Sequence, residues 1–259
     1  MIDQDPEFSQ EYRLSRLGFF LLAVGLVPIC VIEVVALAAD FVGLSPIPLW
    51  LHRLGAWELL DTLTPWATLA GSTVLWCAWD APGWRRRAGL LMSMCLVDVA
   101  SWFLNLGDAG MQGRHAWFRL QLGEALGWAQ FALMASLAGD LLTHLGSEDA
   151  EESSKSTRSL IASGAVLWLL LFCERTDLAA GWPLRPNGRL GPPARLLWVG
   201  QIMIQVICLV QVAALVTAAY RRVDQELGSR DADGKSGDDD FGDLAGLGFG
   251  PKVDGPTPL

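Results

Sequence analysis

Residues 90–107, LLMSMCLVDVASWFLNLG, constrain the fold of this chain more than any other stretch. The segment is apolar and close to the length of about 20 residues that a membrane-crossing helix needs, yet Asp98 stands at its middle. On a helix, Ser101 and Asn105 share the face of Asp98. The densest basic cluster, Arg85–Arg87, comes just before it. Together these features predict a membrane span with a polar interior face, oriented by its arginines.

The composition indicates the same class of protein. Of the 259 residues, 52% are hydrophobic and 18% are charged, against about 25% charged residues in soluble domains. The charges gather near the two termini and in short stretches between apolar segments, as expected for spans joined by loops. A net charge of −9 without a basic face argues against a nucleic-acid partner. The sequence therefore predicts an all-α, polytopic integral membrane helical bundle whose principal partner is the lipid bilayer.

Six apolar segments are read as transmembrane helices, and together they form a transmembrane domain over residues 17–220. The predicted spans are about 17–43, 56–79, 88–106, 116–144, 159–173 and 196–220. The fifth span would cover only about 22 Å at 1.5 Å per residue, less than the roughly 30 Å hydrocarbon core. It therefore needs flanking residues, a thinned bilayer or shielding by its neighbours.

The segments outside the spans are polar. Residues 1–16 form a cytoplasmic N-terminal segment, residues 146–158 form a solvated loop, and residues 221–259 form a disordered acidic cytoplasmic tail. The alternative for the first span is a cleaved signal peptide, because Ala36–Ala38 resembles a cleavage site. The acidic leader, Pro28 and Glu33 favour an uncleaved helix.

An even number of spans puts both termini on the same side of the membrane. Basic residues near the ends of spans favour the cytoplasm, and nine of them would share the side of the termini. These nine are Arg13, Arg16, Arg85, Arg86, Arg87, Lys155, Arg158, Arg221 and Arg222. Seven arginines would lie on the opposite side. The expected location is the plasma membrane (the inner membrane of a bacterium) with both termini in the cytoplasm.

The cysteines and tryptophans indicate anchoring and packing. All five cysteines lie in or at the end of apolar segments without a CxxC motif, which argues against a disulfide framework or a zinc finger. Nine of the twelve tryptophans fit aromatic belts at the two membrane surfaces. Three pairs have the small-xxx-small spacing that allows close approach of helices: Gly123 and Gly127, Ala125 and Ala129, and Ala135 and Gly139.

Polar residues inside the predicted spans carry the functional signal, because such groups are costly in lipid. Two acids fall near mid-depth, and the other members of the set fall in the non-cytoplasmic half. We interpret the set as an acid-lined pocket that opens to that side. The candidate binding residues are Glu33, Asp40, Glu58, Asp61, Asp98, Ser101, Asn105, Gln121, Glu124, Gln201 and Gln205.

Three interpretations of this pocket remain open. The polar groups could serve packing, through hydrogen bonds between helices. They could bind or translocate a cation or a proton-coupled solute, because buried carboxylates with few basic partners favour positive charge. They could belong to a metal-dependent enzyme, although the three histidines form no HExxH or similar pair.

The sequence favours a non-enzymatic membrane component that binds a partner or a small ligand. A small cation- or proton-linked transporter is the alternative, and a membrane-embedded metal enzyme is a more distant one. We predict no catalytic residue, no metal site and no cofactor. Short interhelical connections and small residues favour a homo-oligomer or association with other membrane subunits.

Overall fold

The computed structural model describes residues 6–42, 56–107, 114–175 and 192–244, and the side chains at several helix ends within these ranges are not described. In these ranges the chain is all-helical, with six helices. They are α1 (Pro6–Val42), α2 (Ala56–Ala78), α3 (Pro82–Gly107), α4 (Arg114–His144), α5 (Glu148–Arg175) and α6 (Pro192–Leu244). The predicted all-α class is confirmed.

The helices form a ring that follows the order of the chain. Each helix packs against the next one, and α6 returns to pack against α1, α4 and α5. Five helices, α1, α2, α3, α4 and α6, therefore surround the core, and α5 lies against α4 and α6. Short described connections at residues 79–81 and 145–147 reverse the chain between neighbouring helices.

The turn between α4 and α5 shows how the sequence ends a helix. Gly146 has a left-handed φ of 77°. Its N–H donates to the carbonyl of Thr143 at 3.0 Å, and the N–H of Ser147 donates to that of Leu142 at 3.0 Å. This pair of bonds is a Schellman motif, which favours glycine at the left-handed position. The motif turns the chain so that α5 can run back along α4.

Several interhelical contacts bring basic residues to one end of the bundle. Arg16 of α1 pairs with Asp224 of α6 at 2.9 Å, Trp79 donates to Ser15 at 2.7 Å, and Arg87 of α3 pairs with Asp140 of α4. The beginning of α1 and the second half of α6 therefore lie at the same end. We call it the arginine end; its basic residues are Arg13, Arg16, Arg85, Arg86, Arg87, Lys155, Arg158, Arg221 and Arg222.

The bundle is apolar both inside and outside. Its core includes fully buried side chains such as Phe19, Leu75, Leu91, Met134 and Val212. Large apolar side chains also cover the outer faces, among them Phe20, Val31, Leu96, Phe103 and Val166. A helix that is apolar on both faces suits apolar surroundings. Four helical stretches could cross a membrane by length and composition: Gln10–Val35, Leu122–His144, Glu151–Cys173 and Val199–Ser229.

The fifth helix is longer than the sequence predicts. Residues 146–158 were expected to form a solvated loop, but α5 begins at Glu148 and has 28 residues, about 42 Å at 1.5 Å per residue. Ser154 and Thr157 are buried in it, each with 1% of its surface exposed. The hydroxyl of Ser154 donates to the carbonyl of Ala135 at 3.0 Å. The expected loop is therefore helical from Glu148, because tertiary contacts hold these polar residues in the helix.

The two terminal segments are also more helical than predicted. Helix α6 continues to Leu244, whereas the sequence predicted a disordered tail from residue 221. Val223 is buried, and Asp224 pairs with Arg16. Helix α1 begins at Pro6, inside the predicted segment 1–16, and Tyr12 is buried. Residues 245–259 lie outside the described residues.

Glycines permit close helix contacts. A Cβ atom on Gly71 would lie 2.9 Å from the carbonyl oxygen of Gly18, and one on Gly18 would lie 2.7 Å from the side chain of Leu75. By contrast, nothing described lies within 4 Å of a Cβ atom on Gly123 or Gly127. Of the pairs that the sequence spacing indicated, Ala135 and Gly139 do lie at a close contact, because a Cβ atom on Gly139 would overlap the Ser154 side chain of α5.

Candidate functional site

Asp98 lies about midway along the apolar part of the bundle. It is about 16 Å along the axis of α3 from Arg87 at the arginine end, at 1.5 Å per residue. Half of a hydrocarbon core is about 15 Å. Its side chain is half-buried. The carboxyl group is thus in a position where an ionisable side chain needs polar neighbours.

Asp98 and Cys95, one turn apart on α3, have polar neighbours on α4 and α2 respectively. Gln130 of α4, 9% exposed, donates through Nε2 to Asp98 Oδ2. One turn before Asp98, the buried thiol of Cys95 lies beside the hydroxyl groups of Ser72 and Thr68 on α2. We call Thr68, Ser72, Cys95, Asp98 and Gln130 the Asp98 cluster.

Helical spacing assembles this cluster. Thr68 and Ser72 are four residues apart on α2, and Cys95 and Asp98 are three apart on α3, so each pair shares one helix face. The two hydroxyl groups donate to carbonyls of their own helix, Thr68 to Thr64 at 2.9 Å and Ser72 to Leu69 at 2.9 Å. Their protons are therefore already engaged, and the amide of Gln130 is the described donor to Asp98.

A second predicted acid also has a neutral partner on a neighbouring helix. Glu124 of α4 accepts a hydrogen bond from the indole Nε1 of Trp168 on α5 at 2.8 Å. Both side chains are half-buried, and the indole of Trp168 stacks on Phe172. The indole N–H of a buried tryptophan needs an acceptor. The pair thus links α4 to α5 without an opposite charge.

The other predicted site residues are placed separately. Glu33 is exposed on α1, Ser101 is half-buried, Gln201 is buried with 6% exposed, and Gln205 is exposed. No described hydrogen bond joins any of these to Asp98 or Glu124. The remaining predicted side chains lie outside the described part of the structure: Asp40, Glu58, Asp61, Asn105 and Gln121. The single pocket that would unite all eleven residues stays a prediction.

Sequence reasoning missed the donors that hold the two acids. Gln130 lies in a predicted span, but no spacing links it to Asp98 on another helix. Trp168 is not among the tryptophans predicted to form the surface belts, and no spacing links it to Glu124 on another helix. A search for neutral donors in spans would have found Gln130, although not its partner.

The arginine end is a separate polar region in which acids and bases pair. Arg87 pairs with Asp140 and also donates to the hydroxyl of Ser136 at 2.8 Å. Arg85 pairs with Asp80 and lies 5.3 Å above the ring of Trp76. His144 packs edge-on against Trp79, with ring centroids 5.2 Å apart. Asp140 and His144 are therefore held by different partners.

The described side chains offer hydrogen-bonding capacity without a metal-binding arrangement. Among the residues described, no group of three or more His, Cys, Asp or Glu side chains is placed to hold a metal ion. A carboxylate has several acceptor sites, and Asp98 uses one for Gln130. The cluster can therefore accept a further donor or a cation.

Comparisons with protein-family models, with curated proteins and with solved structures find no match to this chain.

Proposed function

We propose that this chain is a six-span, non-enzymatic integral membrane protein that binds a small ligand or a partner subunit at the Asp98 cluster. The bound group would carry hydrogen-bond donors or a positive charge. One observation carries the proposal: the half-buried carboxyl group of Asp98 is held across the helix interface by a neutral amide. A donor without a net charge positions the carboxyl group and leaves its charge uncompensated.

The length and position of α2 and α3 support six spans. At 1.5 Å per residue, these helices are about 35 Å and 39 Å long, enough for a core of about 30 Å. They pack between α1 and α4, each of which contains a stretch apolar enough to cross a membrane. In this proposal the arginine end is cytoplasmic, in keeping with the preference of basic residues for that side.

The chemistry of the cluster favours a binding role over catalysis. Thr68 and Ser72 direct their hydroxyl protons into their own helix. Neither has a described basic partner that would activate it as a nucleophile, a requirement for serine or threonine catalysis. The described groups can therefore position a ligand, whereas they lack the pairing that nucleophilic chemistry needs.

A proton- or cation-linked transporter is the second candidate. It is favoured by the depth of Asp98, about 16 Å from Arg87 along α3, because carboxyl groups at mid-depth can relay protons or bind cations during transport. The two candidates differ in whether Asp98 supports net movement of an ion across the bilayer.

The test compares Asp98→Asn with Glu152→Gln, which removes an exposed carboxylate of α5 at the arginine end. Each protein is purified from native membranes in mild detergent, and co-purifying small molecules and subunits are identified by mass spectrometry. We expect a stoichiometric component that Asp98→Asn loses and Glu152→Gln retains. A chain that purifies alone in every case would contradict the binding role.

Flux measurements in proteoliposomes complete the test. Vesicles that contain the wild-type protein are given a proton, Na⁺ or K⁺ gradient, and ion movement is followed with indicator dyes. We expect no protein-dependent flux. A flux that Asp98→Asn abolishes and Glu152→Gln preserves would establish the transporter instead.

A further inference from the structure

A groove on the outer surface of α6 ends at two arginines. It has a volume of about 640 Å³, within the roughly 300–1,000 Å³ range of small-molecule sites. Its floor is the α6 face that carries Val210, Ala213, Ala214, Thr217 and Ala218, and its walls come from α1 and α4. None of the predicted site residues lines it, so it is separate from the Asp98 cluster.

The groove changes from apolar to basic along its length. Val210, Ala213, Ala214 and Thr217 recur at intervals of three or four residues, which places them on one helix face. The hydroxyl of Thr217 donates to the carbonyl of Ala213 at 2.7 Å, so it adds little polarity to the floor. Towards the arginine end the lining becomes polar, with Ser147, Arg221, Arg222 and Gln225.

Among the described residues, the two arginines lack the ion pairs that three other arginines at this end form. Arg16, Arg85 and Arg87 each pair with a carboxylate. Among the described residues, Arg221 and Arg222 form no ion pair, and Arg222 has only a long 3.5 Å hydrogen bond to the carbonyl of Leu145. The carboxylate of Asp224, three residues after Arg221 on α6, is occupied by Arg16. Within the described part of the structure, the mouth of the groove thus presents positive charge without an ion pair.

We propose that this groove binds an anionic phospholipid from the membrane leaflet at the arginine end. One acyl chain lies along Val210, Ala214 and Ala218, and the phosphate accepts hydrogen bonds from Arg221 and Arg222. From Val210 to Arg222 the groove measures about 18 Å at 1.5 Å per residue, similar to the roughly 15 Å depth of one leaflet's hydrocarbon. Basic pockets between transmembrane helices are known to select anionic head groups.

The charge pattern decides between a lipid and a second protein helix. An apolar helix from another copy would fill the floor but leave two guanidinium groups facing it without a counter-charge. A phospholipid matches both parts of the groove, because its chains are apolar and its phosphate is negative. The inference rests on the membrane placement in the proposed function, but it does not depend on what Asp98 binds.

The experiment measures phosphatidylglycerol bound to the purified full chain. Protein is reconstituted in phosphatidylcholine nanodiscs with or without phosphatidylglycerol, and retained lipid is counted by native mass spectrometry. The Arg221→Gln/Arg222→Gln variant is compared with Arg13→Gln/Arg86→Gln, which removes the same charge from exposed arginines at the same end that do not line the groove.

We expect the wild type and the control variant to retain phosphatidylglycerol over phosphatidylcholine. The Arg221→Gln/Arg222→Gln variant should lose this preference by about fivefold per arginine, the equivalent of roughly 1 kcal/mol for each basic residue at an anionic surface. Ala214→Phe, which fills the floor of the groove, should reduce retention of the lipid while both arginines remain. Equal retention by the two double variants would overturn the proposal.

Three further readouts distinguish loss of lipid binding from misfolding, from binding of a second copy and from an incorrect membrane placement. Unfolding temperature in phosphatidylcholine alone should be the same for all variants, which excludes misfolding as the cause of lost lipid. If Ala214→Phe converts a dimer to a monomer and lipid retention does not change, the groove binds a second copy and the lipid proposal is wrong. Extraction of the wild-type chain by alkaline carbonate would contradict the membrane placement itself.

Discussion

Gln130 donates a hydrogen bond to Asp98 across the interface of α3 and α4. Gln130 is 9% exposed, and the bond holds a carboxyl group about midway along the bundle. A hydrogen bond between helices in a membrane contributes about 0.6 kcal/mol on average and at most about 1.7 kcal/mol. The contact therefore orients Asp98 more than it stabilises the fold.

A double-mutant cycle tests this pair. Gln130→Leu removes the donor and should lower the free energy of unfolding by about 1–3 kcal/mol, because the carboxyl group loses its partner. Asp98→Leu added to Gln130→Leu should recover part of this loss. The cycle, measured by reversible unfolding in detergent, should give a coupling energy of about 0.6–1.7 kcal/mol. A coupling energy near zero would show that the hydrogen bond does not form in the membrane.

Gly71→Ala should destabilise the contact of α1 with α2. The new Cβ would lie 2.9 Å from the carbonyl oxygen of Gly18 and 3.0 Å from the backbone nitrogen of Leu22, and a backbone atom moves only if the helix moves. We expect a loss of about 1–3 kcal/mol in the free energy of unfolding.

Gly123→Ala is the matched control for this substitution. Nothing described lies within 4 Å of its Cβ, and alanine favours a helix interior by about 1 kcal/mol over glycine. Thermal unfolding should therefore show a stability that is unchanged or higher. A larger loss at Gly123 than at Gly71 would contradict the helix packing described above.

Gln211→Met should stabilise the protein. Within the described structure, the side-chain oxygen of Gln211 is buried without a hydrogen-bond partner. An unpaired buried acceptor costs about 1–3 kcal/mol, and methionine has a similar shape without that acceptor. We expect a higher unfolding temperature than for Gln205→Met, which changes an exposed glutamine of the same helix. A lower unfolding temperature for Gln211→Met would indicate that a ligand or water normally donates to this oxygen.

The proposed orientation predicts a pattern of chemical labelling. Glu152→Cys, at the arginine end, should be protected from a membrane-impermeant maleimide in intact cells and should react after lysis. Asn187→Cys, in the connector before α6 and outside the described residues, should react in intact cells. The unchanged chain measures the background from the five native cysteines. The reverse pattern would place the arginine end outside the cell.

Helix existence could be predicted from the sequence, whereas helix length could not. Each of the six apolar segments predicted from the sequence overlaps the middle of one helix. The start of α5 at Glu148 follows from contacts such as that of Ser154 with Ala135. The extension of α6 beyond residue 221 is supported by the pairing of Asp224 with Arg16. Hydropathy does not record these contacts, because the residues involved are polar.

The acids of the candidate site could be predicted from the sequence, whereas their hydrogen-bond donors could not. The cost of a carboxyl group in an apolar segment drew attention to Asp98 and Glu124. Their donors, Gln130 and Trp168, lie on other helices, and one sequence without related sequences contains no signal for such a pairing.

Residues 90–107 by themselves determined that this protein has an apolar helix with a carboxyl group at its centre. That follows from side-chain chemistry and from the period of the helix, both of which are local. The tertiary structure alone decided that Asp98 meets Gln130, that glycines bring α1 against α2, and that Arg221 and Arg222 stand at the end of an apolar groove. Each of these relationships joins residues of different helices, and it is the packing of the ring that fixes their rotation and relative depth.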